Sequence, residues 1–175
     1  GQNEIDKDLT DKAVEEAKER VRAALKNSGA EFPARRITIN LAPADLPKEG
    51  PAYDLPIALG LLIASGQLPA TPSLNQCVVM GELSLDGSLR HTNGVLPITL
   101  MAKEKKFRQL FVPEIDSSEA AIVGGIKIYP VNTIKALFNH LAGIQKIIPR
   151  KHFSFTNLKQ STKISFDMAE IKGQE

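Results

Sequence analysis

Ser84, Asp86, Ser88 and His91 are the residue types of a hydrolytic triad, crowded into one short stretch. Nucleophilic catalysis needs an attacking atom and a base that activates it. These four residues, however, flank Asp86-Gly87, a pair that accepts the positive φ of a tight hairpin turn. Ser, Asp and Gly are what such a turn requires on conformational grounds. Triads are assembled from distant segments and defined by geometry, so the stretch reads as turn chemistry. His91, His140 and His152 stand far apart and off metal-ligand spacing, and read as hydrogen-bonded or solvated surface histidines. The single cysteine, Cys77, excludes a disulfide framework within the chain and suits a reducing compartment. There is no Gly-x-x-x-x-Gly-Lys-Ser/Thr loop to surround phosphates and no Gly-x-Gly-x-x-Gly turn for a dinucleotide. From residue types alone the chain therefore offers no catalytic, cofactor-binding or metal residues.

The most distinctive segment is Pro47-Lys48-Glu49-Gly50-Pro51. A glycine between prolines, just before an apolar run, fixes a loop at a helix N-terminus. There, free amides favour anions. The segment serves either as a binding or catalytic loop or as a rigid crossover that only positions the helix, and both readings stay open here.

The elements that position this loop follow from pattern. In residues 11–28, Ala13, Val14, Ala17, Val21, Ala24 and Leu25 make one apolar stripe on a helix, begun by Thr10 or Asp11 and ended by Gly29. Residues 36–41 alternate polar and apolar, as a half-buried strand does. The Pro- and Gly-rich residues 42–53 make a shaped loop. Asp54 is expected as the N-cap of a helix running to Ser65, with Pro56 in its first turn and apolar on every side, hence buried. Strands are expected over 77–83, 110–112 and 126–131, a hairpin over 83–89, and helices over 97–106, 117–123 and 133–141. After Gly143 the periodicity fades into a linker or peripheral tail. Alternating helices and strands in 175 residues, 42% of them hydrophobic and 24% charged, point to one α/β domain with a mixed sheet and a packed core.

Charge narrows the partners. Residues 144–175 carry six basic and three acidic side chains and are +3 overall; residues 1–143 carry 16 basic and 17 acidic and are −1. A balanced body lacks the net positive field that holds nucleic acid nonspecifically. The longest apolar run, residues 55–64, is about half of the roughly 20 residues a bilayer crossing needs, and no signal-peptide pattern opens the chain. A cytoplasmic protein with no membrane partner is expected.

Longer motifs carry a resemblance. Glu19-Arg20-Val21-Arg22-Ala23-Ala24-Leu25-Lys26-Asn27-Ser28-Gly29 is followed by Phe32-Pro33. Next comes Arg36-Ile37-Thr38-Ile39-Asn40-Leu41-Ala42-Pro43-Ala44-Asp45-Leu46-Pro47-Lys48-Glu49-Gly50. Together with Tyr53-Asp54-Leu55-Pro56-Ile57-Ala58 and Gly81-Glu82-Leu83-Ser84-Leu85-Asp86-Gly87-Ser88-Leu89-Arg90, they resemble the magnesium-chelatase-related AAA+ proteins of the ComM type. The resemblance runs over residues 11–141. It implies a Lon proteolytic-domain-like fold of the ribosomal protein S5 domain 2-like superfamily, an α/β (α+β) two-layer mixed sheet with helices. By the same resemblance, residues 11–143 are the Lon-like N-terminal domain, 144–165 a linker or tail, and 166–175 the start of an AAA+ module. ATP and magnesium would be held on the remainder of that module, and this fragment would hold no cofactor. The polar residues 1–10 depart from the family, which has strands and a Gly-Leu-Pro-like segment there. A truncated start is expected, and the strand count stays open.

Lon-type peptidases carry Pro-Lys-Asp-Gly-Pro-Ser with the serine as nucleophile. The matching place here is Ala52. The partner lysine follows a Gly-Glu strand and hairpin, like Gly81-Glu82, by about fifteen residues on ungapped counting; that place is Leu96. With both groups missing, no peptidase activity is expected, and an unactivated Tyr53 phenol with a pKa of about 10 is no substitute. The resemblance implies an accessory domain of a hexameric AAA+ ATPase that drives DNA branch migration during transformation. In that role Arg35, Arg36 and Lys48 are the candidate nucleic-acid or partner contacts, and other protomers are the expected partners. The alternative is a protein-interaction or oligomerisation module that never touches DNA.

Overall fold

The computed structural model describes residues 11–32 and 50–152. Helix α1 (Asp11–Asn27) is amphipathic, as its stripe requires: Ala17, Val21, Ala24 and Leu25 are buried, while Glu15, Glu16, Lys18 and Glu19 are exposed. A 3-10 turn (Pro51–Tyr53) leads into α2 (Asp54–Ala64), which buries Leu55, Ala58, Leu59 and Leu62. A second 3-10 turn (Pro72–Gln76) precedes β1 (Cys77–Val79). Then come β2 (Glu82–Leu83), β3 (Leu89–Arg90), α3 (Val95–Glu104), β4 (Gln109–Pro113), a turn (Glu114–Asp116), α4 (Ser117–Ala120), β5 (Lys127–Val131) and α5 (Ile134–Leu141).

Among the described residues, β1, β4 and β5 form a parallel sheet in the order β1-β4-β5, and antiparallel pairing joins β2 to β3. Side chains alternate across a strand, so the sheet feeds two cores. Phe111, Tyr129 and Val131 pack with Val21, Leu25, Leu55, Leu59, Ile134 and Leu137, from α1, α2 and α5. Leu110, Val112 and Ile128 pack with Val95, Ala102 and Ala120, from α3 and α4, and with Ala121 just after α4. Phe111 and Tyr129 stack at 4.8 Å between ring centroids, and His140 meets Phe111 edge-on at 5.3 Å.

Three expected elements differ. The strand over 77–83 is two strands of different sheets. Gly81 breaks it, because its amide donates to the Ala52 carbonyl (2.8 Å) and its carbonyl accepts from the Leu55 amide (3.0 Å). The helix over 117–123 stops at Ala120, before the Gly124-Gly125 turn, where both residues have positive φ. Asp54 does not cap α2: Tyr53 holds the N-cap place, and Asp54 is the first helical residue with its side chain spent elsewhere. The hairpin turn at Asp86-Gly87 is present. Its Gly87 carbonyl accepts from the Ile134 amide at 2.9 Å, and Leu89 donates to the Asn132 carbonyl at 2.9 Å. The expected strand over 36–41, and most of the loop over 42–53, lie outside the described residues.

Candidate functional site

Of the segment from Pro47 to Ala52 that matches the Lon nucleophile loop, the described part is Gly50 to Ala52, and Gly50 has a φ of 90°, open to glycine at little strain. The 3-10 turn that follows puts Ala52 against the α3–α4 core, the cluster that includes Val95. Leu96, the residue after Val95, is half-buried in the first turn of α3, behind the left-handed Gly94 (φ 85°). The fold thus brings the start of α2 and the start of α3 to one core, with Ala52 and Leu96 on those two helix starts. A methyl and an isobutyl group have no lone pair and no proton to move, and the Ala52 methyl packs against that core. Arg35, Arg36 and Lys48 lie outside the described residues.

The nearby carboxylate of Asp54 is fully engaged. Asp54 is wholly buried. Arg20 donates to it from Nε at 2.7 Å and from Nη2 at 3.0 Å, and the Leu83 amide donates at 3.1 Å. Burial pushes the Asp54 carboxyl up, while the Arg20 fork and the Leu83 amide pull it back. The hydrogen bond to Asp54 raises Arg20 above its ordinary value. Arginine keeps its proton at any pH at which the protein folds, so this is a guanidinium–carboxylate pair. It ties α1 to the start of α2 and to β2. Arg20 stands three residues after Ala17 and four before Ala24, on the rim of the buried stripe, and that placement was the available sign of a buried partner. The Tyr53 hydroxyl is buried without a hydrogen-bond partner among the described residues, and desolvation pushes it to about 12. It is a protonated phenol, not a nucleophile.

The serine–histidine stretch resolves into separate devices. Asp86 accepts from the Ser88 amide (2.9 Å) and the Ser88 hydroxyl (2.7 Å), which closes the turn. His91 instead meets Asp116, Nδ1 to Oδ1 at 2.5 Å, and its Nε2 lies 3.1 Å from Asn93 Oδ1. With an oxygen acceptor at each ring nitrogen the imidazolium form is favoured, and the Asp116 hydrogen bond raises His91 above its ordinary value. Asp116 is buried and also accepts from the Thr92 amide at 2.8 Å. His140, expected at the surface, is 7% exposed; its Nδ1 accepts from the Ile147 amide at 2.8 Å, and burial lowers it.

No group of three or more His, Cys, Asp and Glu side chains among the described residues is arranged to hold a metal ion, and no described helix is long and apolar enough to cross a membrane.

A family model described as subunit ChlI of Mg-chelatase matches residues 7–116. The competence protein ComM of Haemophilus influenzae is 41% identical over 168 residues, which is 95% of this chain and 33% of that protein. The uncharacterized protein YifB of Escherichia coli is 39% identical over 167 residues, 95% of this chain and 32% of that protein. Lon protease 2 of Bacillus subtilis is 26% identical over 125 residues, 70% of this chain and 22% of that protein, in keeping with a Lon-like domain. The chain spans about a third of the length of the ComM and YifB relatives.

Proposed function

Because the chain belongs to the Mg-chelatase subunit ChlI family, we propose that it is a non-catalytic accessory domain of a ComM-like ATPase. The whole protein would act as a hexamer in DNA branch migration and recombination during natural transformation, in the cytoplasm. The observation that carries this reading is Ala52. At the place of the Lon nucleophile, its carbonyl is bonded to the Gly81 amide and its side chain packs against the core. A position used in this way supports a rigid platform. The chain contains no Gly-x-x-x-x-Gly-Lys-Ser/Thr loop, so in this reading ATP and magnesium are held by other residues of the whole protein. The test is incubation of the purified 175-residue chain with casein and fluorogenic peptides, where intact substrate is the expected result. Cleavage that survives repurification and disappears on Ser84→Ala would overturn it.

A second reading, a module that recruits protein partners or sets the oligomer, is favoured by exposed isoleucines: Ile115 is 72%, Ile144 70% and Ile148 83% exposed. Sedimentation of the chain separates the two. Self-association lost on Ile144→Ser with Ile148→Ser supports the module.

A further inference from the structure

Parallel strands share a starting end, and at this end of the sheet five cations come together. Arg108 immediately precedes β4, and its amide donates to the carbonyl of Gln76, the residue before β1, at 3.0 Å. Lys127 opens β5, and its amide donates to the Arg108 carbonyl at 3.0 Å. Helix α3 ends at the same place and delivers Lys103, Lys105 and Lys106. The Lys103 stem lies across the turn before β5, since a methyl group on Gly125 would stand 2.9 Å from Lys103 Cε. Lys103, Lys105, Lys106, Arg108 and Lys127 are all exposed, and Glu104 is the one acidic residue among residues 103–108. The acidic Glu114, Asp116 and Glu119 follow the far end of β4. The near-zero net charge of the body thus conceals a separation of charge along the strands.

The chain end of α3 adds an independent sign. Helices α1, α2, α3 and α5 all close with the same pair of backbone bonds. At α1 these are Gly29 N to Lys26 O and Ala30 N to Leu25 O; at α3 they are Lys106 N to Lys103 O and Phe107 N to Ala102 O. The left-handed place in this motif belongs to glycine, and Gly29 (φ 86°), Gly66 (79°) and Gly143 (77°) hold it in three of the four. At α3 it is Lys106, φ 65°, the one non-glycine with positive φ among the described residues. Helix-dipole stabilisation accounts for lysines in the last turn of α3, but not for Arg108 and Lys127, which lie on no helix, nor for a strained lysine where glycine fits better.

We propose that the strand-start face formed by Lys103, Lys105, Lys106, Arg108 and Lys127 is a contact surface for the phosphate backbone of DNA. Protein interfaces are depleted in lysine and centre on apolar or aromatic anchors. This face is dense in lysine. It grips a repeating anion without reading sequence, because phosphate contacts position and do not specify. The proposal deepens the proposed function, and rests on it for the choice of DNA as the polyanion.

The experiment measures anisotropy of a fluorescein-labelled duplex of about 20 base pairs with the 175-residue chain, over about 50 to 200 mM KCl. Five neutralised phosphates give a log–log slope of about −4.5, and an affinity loss of about 500-fold across that range. Lys103→Gln, Lys106→Gln, Arg108→Gln and Lys127→Gln combined are expected to bring the slope to about −1. Lys106→Gly alone keeps the proposal testable if the combined variant does not fold: it should raise the thermal midpoint and still make the slope shallower by about one. An unchanged slope in both variants, or no binding at the lowest salt, overturns the surface. So does a slope lost only on Arg35→Ala, Arg36→Ala and Lys48→Ala. Equal binding of poly-glutamate overturns the choice of DNA in favour of an acidic protein. Full-length protein that migrates branches normally with the combined variant overturns the surface and leaves the proposed function standing.

Discussion

Arg20→Ala would leave Asp54 wholly buried with one donor, the Leu83 amide, in place of three. Breaking a buried ion pair from one side costs about 3–5 kcal/mol. The Arg20 side chain is 27% exposed, so water can enter the gap it leaves, and the low end, about 3 kcal/mol, is expected. In a chain of this size that lowers the thermal midpoint by roughly 6–12 °C. Asp54→Asn should cost less, about 1–2 kcal/mol, because the amide oxygen still accepts from Leu83 and the arginine head turns to solvent. In the double variant no buried charge is left alone, so its cost should fall short of the sum of the two by at least about 1 kcal/mol. Urea unfolding of the four proteins closes this cycle. A pH series gives a second signature. Without Arg20, the Asp54 folded-state pKa moves further above its ordinary 3.8. A raised carboxyl favours folding as it takes up a proton, so the Arg20→Ala deficit should shrink as the pH falls through that raised value. Additive costs in the cycle, together with a deficit that does not change with pH, would refute the account of Asp54 as a charge held by α1.

The two shifted histidines bracket neutrality with opposite signs. His91 is raised above 6.5, so its stabilisation is complete below 6.5 and is lost as pH rises through the folded value; His140 is lowered, so stability is lost as pH falls from 6.5 through its folded value. Denaturation across pH should give a maximum near about 6.5, and Asp116→Asn should flatten the alkaline side. Gly87→Ala places a methyl 2.4 Å from Ser28 Oγ at a φ of 93°, and should cost at least about 2 kcal/mol in urea unfolding. Ala52→Ser restores a hydroxyl without a base, so peptide cleavage stays at background in a fluorogenic assay.

Pattern carried the elements whose side chains have one clear job. The α1 stripe through Val21 and Leu25, the all-apolar α2, and the Asp86-Gly87 turn lie where periodicity and turn chemistry put them. What pattern missed is pairing across sequence. Nothing local distinguishes an aspartate that caps a helix from one that receives a guanidinium 34 positions earlier, as Asp54 does. The break at Gly81 is likewise set by Ala52 and Leu55, residues of another segment. The Arg108–Lys127 juxtaposition needed the β4–β5 register, because balanced net charge gives no hint of where each sign collects. Ala52 and Leu96 are singled out only through resemblance, since an alanine and a leucine announce nothing by themselves.

Residues 147, 150 and 152 are each fastened to the body. The Ile147 amide meets His140, Arg150 bonds the Ile128 carbonyl through its amide and the Ser117 hydroxyl through Nε, and His152 Nδ1 lies 2.8 Å from the Ala121 carbonyl. These anchors reach α5, β5, α4 and the turn after α4. A pull on the chain beyond residue 152 would therefore load the turn after α4 first, through His152 and Ala121, then β5 and α4 together through Arg150, and α5 last.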